Sequence, residues 1–220
     1  MNKIVFVILD KFADWEVVFL STTLNNKRVA RDYIVKYAST DKEIKTSMGN
    51  LKVLPDMTID EISDNIKGIV LIGADGSWRN LNNEMNDKIM NLVQRFKKNG
   101  KVVGAICDAV YYLAVNGLLN DCKHTANSLE KIENNKNYKN RENYIQTDEI
   151  TAVTDGKTVT ASGTAPLGFA VNVLRVLEDI SEKNINFLKD MYTEGFTKAF
   201  EKYNEIKWKE KNYEIWNSRN

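Results

Sequence analysis

The sequence predicts an α/β fold with a mostly parallel sheet, and three features carry this prediction. Short, entirely apolar runs recur along the chain, as is typical of strands buried on both faces. These runs alternate with segments whose apolar residues recur at helical spacing, which favours strand–helix–strand units over an all-β or all-α fold. The 220 residues are 43% hydrophobic and 28% charged, which suits one globular domain with an appendage.

The first half of the chain predicts three sheet strands and two main helices. The apolar run at residues 4–9 predicts the first strand, and Asp14 is placed to cap a helix that begins at Trp15. Further elements are predicted as a strand at 33–38, a small hairpin pairing 44–46 with 51–54, a short helix or turn at 59–62, a strand at 68–72 with a glycine-bearing loop at 73–76, and an amphipathic helix at 84–98 that Gly100 ends.

The second half continues the alternation and ends in a different kind of segment. It predicts a buried strand at 102–106 followed by a helix, a short strand at 124–127, a helix starting at Ser128, a polar loop at 133–143, a hairpin pairing 150–154 with 158–161, and a helix after Pro166. We therefore predict an α/β domain over residues 1–180. Residues 181–220 are predicted to form a helical extension that packs on the domain or on a dimer partner.

Composition limits the classes of function. The net charge of +1 gives no general attraction for nucleic acid or for an anionic membrane, and no segment is long enough to span a bilayer. Two cysteines do not make a disulfide framework, so we expect a cytoplasmic protein. We expect a homodimer acting on a small molecule, with no metal and no cofactor. The chain has a single histidine, His124, and this restricts the available acid–base chemistry.

The most informative stretch is Ala105-Ile106-Cys107-Asp108-Ala109, at a predicted strand-to-helix turn. A nucleophile flanked by small residues at such a turn has the pattern of a nucleophile elbow. The turn also puts the sulfur at a helix N-terminus, which favours a thiolate and predicts a lowered pKa for Cys107. The alternative is that Cys107 is an unreactive core cysteine.

Glu16 lies just past the carboxyl end of the first strand, in the first turn of the following helix. Its position alone fits a surface acid that interacts with the helix dipole. The glycine-bearing loop at 73–76 ends another strand and can direct backbone N–H groups into a site, although an ordinary turn would have the same composition.

Four pieces in this order resemble the ThiJ/PfpI superfamily over about residues 3–178. They are strand one with Asp14-Trp15-Glu16, Leu71-Ile72-Gly73-Ala74, the cysteine elbow, and Thr158-Val159-Thr160-Ala161-Ser162-Gly163 before a helix. The resemblance implies a flavodoxin-like three-layer sandwich, also described as class I glutamine amidotransferase-like. The chain is most similar to the bacterial branch of intracellular proteases and amidases.

The resemblance also implies a site. Cys107 would be the reactive cysteine, Glu16 its carboxyl partner, and the N–H groups of Ala74 and Asp108 an oxyanion pocket. Trp15, Gly73 and Asn127 complete the predicted pocket, and Asp108 is included among the catalytic candidates. A carboxyl group beside a thiolate helps only when it is protonated, since a carboxylate would repel the sulfur.

Two departures from the family pattern bear on function. Asp108 follows the cysteine where protease-like members have a histidine, and Asn127 stands where glyoxalase-like members have one; a lone histidine such as His124 is more often structural. We therefore do not expect general protease activity. One hypothesis is a cysteine-dependent hydrolase, amidase or glyoxalase-type enzyme. The alternative is a redox or stress-response protein in which Cys107 is oxidised to a sulfinate held by Glu16.

Overall fold

The computed structural model describes residues 1–27, 29–147 and 151–203. In chain order its strands and helices are β1 (Asn2–Val7), α1 (Trp15–Asn25), β2 (Tyr33–Ser39), β3 (Lys45–Thr46), β4 (Lys52–Val53), β5 (Met57–Thr58), β6 (Gly68–Leu71), α2 (Asn83–Lys98), β7 (Val102–Ile106), α3 (Asp108–Val115), β8 (Ala152–Asp155), β9 (Thr158–Ala161), α4 (Pro166–Val176), α5 (Glu182–Thr193) and α6 (Phe196–Tyr203). Short 3₁₀ helices lie at Ile59–Glu61, Ser77–Arg79 and Arg141–Asn143.

Seven strands form one sheet in the order β5-β2-β1-β6-β7-β9-β8, in which only the β8–β9 pair is antiparallel. The side chains of β1 alternate between its two faces: Ile4 and Phe6 belong to one hydrophobic core, Val5 and Val7 to the other. Helices α2 and α3 cover one face, and α1, α4 and α5 cover the other. The predicted α/β three-layer fold with a mostly parallel sheet is thus confirmed.

The register of the sheet brings the loops that matter to one edge. Strand β6 lies beside both β1 and β7, with Leu71 aligned to Val7 and to Ala105. Strand β9 lies on the other side of β7 and aligns Ala161 with Ile106. The chain therefore leaves β1, β6, β7 and β9 at neighbouring points, which is where open parallel sheets place their ligands.

Within the described residues, the C-terminal extension contains two helices. Gly195 has φ +97° and separates α5 from α6, since a left-handed residue cannot continue a right-handed helix. Ile185 and Leu188 are buried in the core that α1 and α4 share. Residues 204–220 of the predicted extension lie outside the described residues. The division at residue 180 and the homodimer remain predictions.

Three local predictions were wrong. Asp14 occupies the N-cap position of α1, but its carboxylate accepts hydrogen bonds from Ser47 Oγ (2.5 Å) and the Gly49 N–H (2.9 Å), so it anchors the β3–β4 hairpin instead of capping the helix. Residues 124–127 form no strand beyond one bridge at His124, and no helix begins at Ser128. Hydrogen bonds to side chains replace regular pairing here; the N–H of Thr125, for example, donates to the hydroxyl of Thr160 on β9 at 2.9 Å.

The predicted hairpin at 150–161 is present as β8 and β9, although residue 150 is outside the described part of the chain. Strand β5, which was not predicted, adds an edge to the sheet beside β2. Among the described residues, no helix combines the length and the apolar character needed to span a bilayer. The cytoplasmic location remains a prediction.

Candidate active site

Cys107 sits on a strained turn between β7 and α3. Its backbone has φ +61° and ψ −127°, a conformation that non-glycine residues rarely adopt. Hydrogen bonds fix both sides of the turn, since the Cys107 N–H donates to the Ala161 carbonyl at 3.0 Å and the Cys107 carbonyl accepts from the Val110 N–H at 3.0 Å. The elbow predicted from the small flanking residues is therefore present, and it holds the sulfur above the sheet edge.

Glu16 is a buried acid, not a surface one. Helix α1 carries it in its first turn, and only 1% of its surface is exposed. Its Oε2 accepts a hydrogen bond from the Gly73 N–H at 2.8 Å. Its Oε1 accepts no hydrogen bond from an N–H group of the described residues and lies on the side of the Cys107 thiol, with which the carboxyl group interacts. A buried carboxyl group with one oxygen left for a thiol is suited to hold and share a proton.

Two glycines make room for this pair. A Cβ on Gly73 would lie 2.7 Å from both Cys107 Cβ and Glu16 Oε2. A Cβ on Gly163 would lie 2.8 Å from the sulfur and 3.0 Å from Glu16 Oε1. Neither glycine has a positive φ. Both are thus required for space: the thiol and the carboxyl fill the volume that a side chain would take.

A chain of three hydrogen bonds presents an amide donor to the sulfur. The Trp15 indole N–H donates to the Gly163 carbonyl at 3.1 Å, and the Gly163 N–H donates to Asn127 Oδ1 at 2.8 Å. Asn127 Nδ2 then lies 3.2 Å from Cys107 Sγ and donates to it. Because its oxygen is already engaged by an N–H group, the Asn127 amide is fixed with its donor toward the sulfur. This group can stabilise a thiolate but cannot accept a proton from a thiol.

The pKa values of the pair are governed by burial. Burial raises the pKa of Glu16 to about 7, although the hydrogen bond from the Gly73 N–H acts to lower it. Burial and the charge of Glu16 raise the pKa of Cys107 to about 12, although Asn127 and the Asp108 N–H act in the opposite direction. The prediction of a lowered Cys107 pKa was wrong, because desolvation outweighs the helix N-terminus. The two groups act as a unit that releases one proton near neutral pH and keeps the second until far into the alkaline range.

A cavity of about 560 Å³ opens beside the sulfur. It is lined by Trp15, Cys107, Asn127, Ser162, Gly163, Thr164 and Pro166. Its wall is formed by the end of β9, the start of α1 and the half-exposed Trp15 ring. The second cysteine, Cys122, is 7% exposed, and burial raises its pKa to about 11. Only Cys107 of the two therefore offers its sulfur to a small molecule.

The structure brings most of the predicted site residues together. Cys107, Glu16, Gly73, Asn127 and Trp15 are connected by the contacts above. The N–H of Asp108 points toward the sulfur, and its carboxylate is paired with Arg79 outside the cavity lining.

Ala74 is buried in the loop after β6, beside Gly73, and its N–H donates to no acceptor among the described residues. Sequence reasoning did not include Gly163 or Arg79 among the site residues. The position of Gly163 two residues after a strand, like that of Gly73, was a usable signal, whereas nothing near Arg79 pointed to it.

His124 takes no part in this constellation. It is fully buried; its Nδ1 donates to the Cys122 carbonyl at 2.9 Å and its Nε2 accepts from the Tyr138 hydroxyl at 2.8 Å. Burial lowers its pKa, so the ring is neutral with both nitrogens occupied. Since the sequence has no other histidine, the Cys107 site has no imidazole. Among the described residues, no group of three or more His, Cys, Asp or Glu is placed to hold a metal ion.

Comparison with known proteins gives one consistent result. The DJ-1/PfpI family model matches residues 2–176. The uncharacterized protease YdeA of Bacillus subtilis is 36% identical over 203 residues, which cover 92% of this chain and 97% of that protein.

Two solved structures are also similar. The thiJ/pfpI family protein from Bacillus anthracis has a TM-score of 0.79 at 29% identity, covering 93% of this chain and 98% of that one. The DJ-1 superfamily protein Atu0886 from Agrobacterium tumefaciens has a TM-score of 0.76 at 31% identity, covering 88% and 99%.

Proposed function

Because this chain belongs to the DJ-1/PfpI family, we propose that it is a cysteine-dependent enzyme that converts small α-oxoaldehydes into 2-hydroxy acids. Cys107 is the nucleophile and Glu16 is the only group that moves protons. The observation that carries the proposal is the buried Glu16 carboxyl, with a pKa of about 7, beside a thiol that no imidazole accompanies.

The proposed reaction needs no external oxidant or reductant. The Cys107 thiolate adds to the aldehyde carbon, and the Glu16 proton goes to the new alkoxide oxygen, giving a hemithioacetal. Glu16 then removes the hydrogen on that carbon as a proton and returns it to the neighbouring carbonyl carbon through an enediol, while the hydroxyl proton of the first carbon passes to the oxygen of the second. The first carbon is thereby oxidised to a thioester and the second reduced to an alcohol. Water cleaves the thioester, and the net change is addition of one water molecule.

The same residues are poorly suited to peptide hydrolysis. An amide substrate needs a proton delivered to its leaving nitrogen and a base for the hydrolytic water, tasks that imidazole usually performs in cysteine hydrolases. In the proposed route the leaving group of the hydrolytic step is the Cys107 thiolate, which departs without a proton, so one carboxyl that titrates near neutral pH is sufficient as the base. Asn127 also supports the proposal, because its amide donates a hydrogen bond that stabilises the Cys107 thiolate but cannot accept a proton in place of Glu16.

The test is production of lactate from methylglyoxal by the purified full-length chain. We expect Cys107→Ala to reduce turnover to the uncatalysed background, while His124→Gln stays within about threefold of the wild type and loses about 2 kcal/mol of stability through its broken buried hydrogen bonds. Absence of lactate with the wild type would overturn the proposal. So would loss of turnover in a folded His124→Gln variant.

A second candidate is oxidation of Cys107 to a sulfinate by hydrogen peroxide, since Glu16 Oε1 is free to donate a proton to a sulfinate oxygen. Intact mass after mild peroxide separates the two functions. Two oxygens gained at Cys107 in a protein that forms no lactate favour the redox role.

A further inference from the structure

An ion pair lies directly behind the reactive cysteine. The Arg79 guanidinium, on the 3₁₀ helix after β6, is hydrogen-bonded to the Asp108 carboxylate and stands over the Tyr111 ring at 5.0 Å from its centroid. Asp108 is the first residue of α3 and the neighbour of Cys107 in sequence. Neither charged side chain is among the residues that line the cavity.

The buried Asp108 carboxylate depends on Arg79 for compensation of its charge. Asp108 is 7% exposed, and its Oδ2 is buried without a hydrogen-bond partner among the described residues. A buried carboxylate with one unsatisfied oxygen depends on its cation for compensation. Arg79 is the cation that pairs with it, and the Tyr111 ring helps to hold the guanidinium in place.

Asp108 is the charged residue of the elbow that lies next to the Cys107–Glu16 pair. Three segments surround the Glu16 carboxyl: the loops after β6 and β9 supply Gly73 and Gly163, which are uncharged, and the elbow supplies Cys107 and Asp108. Like-charge repulsion from Asp108 adds to burial in raising the pKa of Glu16. Arg79 pairs with that same carboxylate.

We propose that Arg79 is a positioning residue for the Cys107–Glu16 pair: through its ion pair with Asp108 it sets the pH at which the pair releases its first proton. The inference rests on the pair described under the proposed function. Removing the Arg79 cation leaves an uncompensated carboxylate near Glu16 and makes the first proton harder to lose. Removing the Asp108 charge leaves an uncompensated cation and makes that proton easier to lose. The two substitutions therefore have opposite effects.

The experiment measures the alkylation rate of Cys107 by iodoacetamide against pH, read by peptide mass spectrometry. We expect Arg79→Gln to shift the midpoint upward and Asp108→Asn to shift it downward, each by about half to one pH unit. Arg79→Lys, which keeps the charge, should lie near the wild type. In the Glu16→Gln background the shifts should disappear, because the effect passes through Glu16. Thermal unfolding of each variant identifies those that retain the fold.

Shifts of equal sign, absent shifts in folded variants, or shifts that persist without Glu16 overturn the inference. If Asp108→Asn does not fold, the two Arg79 variants still test the inference, because the midpoint should shift upward in Arg79→Gln and stay near the wild type in Arg79→Lys. Labelling does not require turnover, so its outcome is separate from the lactate assay. A midpoint that depends on Glu16 but not on Arg79 or Asp108 removes this inference alone, whereas a midpoint independent of Glu16 removes the pair itself.

Discussion

Glu16→Gln is expected to stabilise the protein by about 3 kcal/mol at pH 8 while abolishing turnover. The folded pKa of Glu16 is raised from 4.5 to about 7, and each unit corresponds to about 1.4 kcal/mol. A raised carboxyl pKa favours folding below pH 4.5, and this contribution is lost as the pH rises through 7. The amide of Gln can keep the Gly73 hydrogen bond and donate to the sulfur, but it carries no charge to bury and no proton to share.

Urea unfolding of the two proteins at pH 4.5 and pH 8 checks this prediction. The stabilisation should be largest at pH 8 and nearly absent at pH 4.5. Glu84→Gln is the matched control, because Glu84 is also a first-turn acid but is exposed on α2, and we expect a change of only a few tenths of a kcal/mol. A Glu16→Gln variant that is less stable than the wild type at pH 8 would show that the acid is ionised and well paired, contrary to the account.

Gly163→Ala is expected to lower both Cys107 labelling and turnover by at least about 100-fold, equivalent to about 3 kcal/mol at the reacting centre. The added methyl group would lie 2.8 Å from the sulfur and 3.0 Å from Glu16 Oε1, so the pair must separate or the loop after β9 must move. Movement of that loop would also break the hydrogen bonds from Trp15 and to Asn127, which orient the amide donor.

Gly100→Ala is the control for glycine replacement as such. A Cβ there meets no atom within 4 Å, and the residue has φ +63°, so its cost is the left-handed backbone alone, about 1 kcal/mol, with labelling unchanged. Equal labelling of wild type and Gly163→Ala would mean that the sulfur and the carboxyl are not confined as described.

The sequence predicts the proximity of carboxyl groups and thiols only where they lie at the ends of strands. Cys107 and Glu16 each follow an apolar run, and parallel strands deliver their carboxyl ends to one edge, so both could be placed from pattern and resemblance. The hydrogen bonds of Asn127 could not be predicted in this way, because they depend on Gly163, which is 36 residues away and reaches the site from β9. The Arg79–Asp108 pair is likewise invisible in sequence, since 29 positions separate residues that only the β6 and β7 loops bring together.

Two of the wrong predictions share a physical cause. The local sequence predicted that Asp14 caps a helix and that a helix N-terminus lowers the pKa of Cys107. In both cases an effect of the tertiary structure was larger. The hairpin offered Asp14 a hydroxyl and an N–H group. Burial of Cys107 between two glycines and a carboxyl removed the water that a thiolate needs.

We infer that Cys107 and Glu16 share a proton, and the pH dependence of Cys107 alkylation is the decisive test. In the wild type the rate should rise with a midpoint near pH 7, where the pair releases its first proton. In Glu16→Gln the step near pH 7 should be absent, because no carboxyl can take the thiol proton, and the labelling rate should rise only where the buried thiol ionises alone. Superimposable curves for the two proteins would show that Glu16 does not act on the thiol and would contradict the account at its centre.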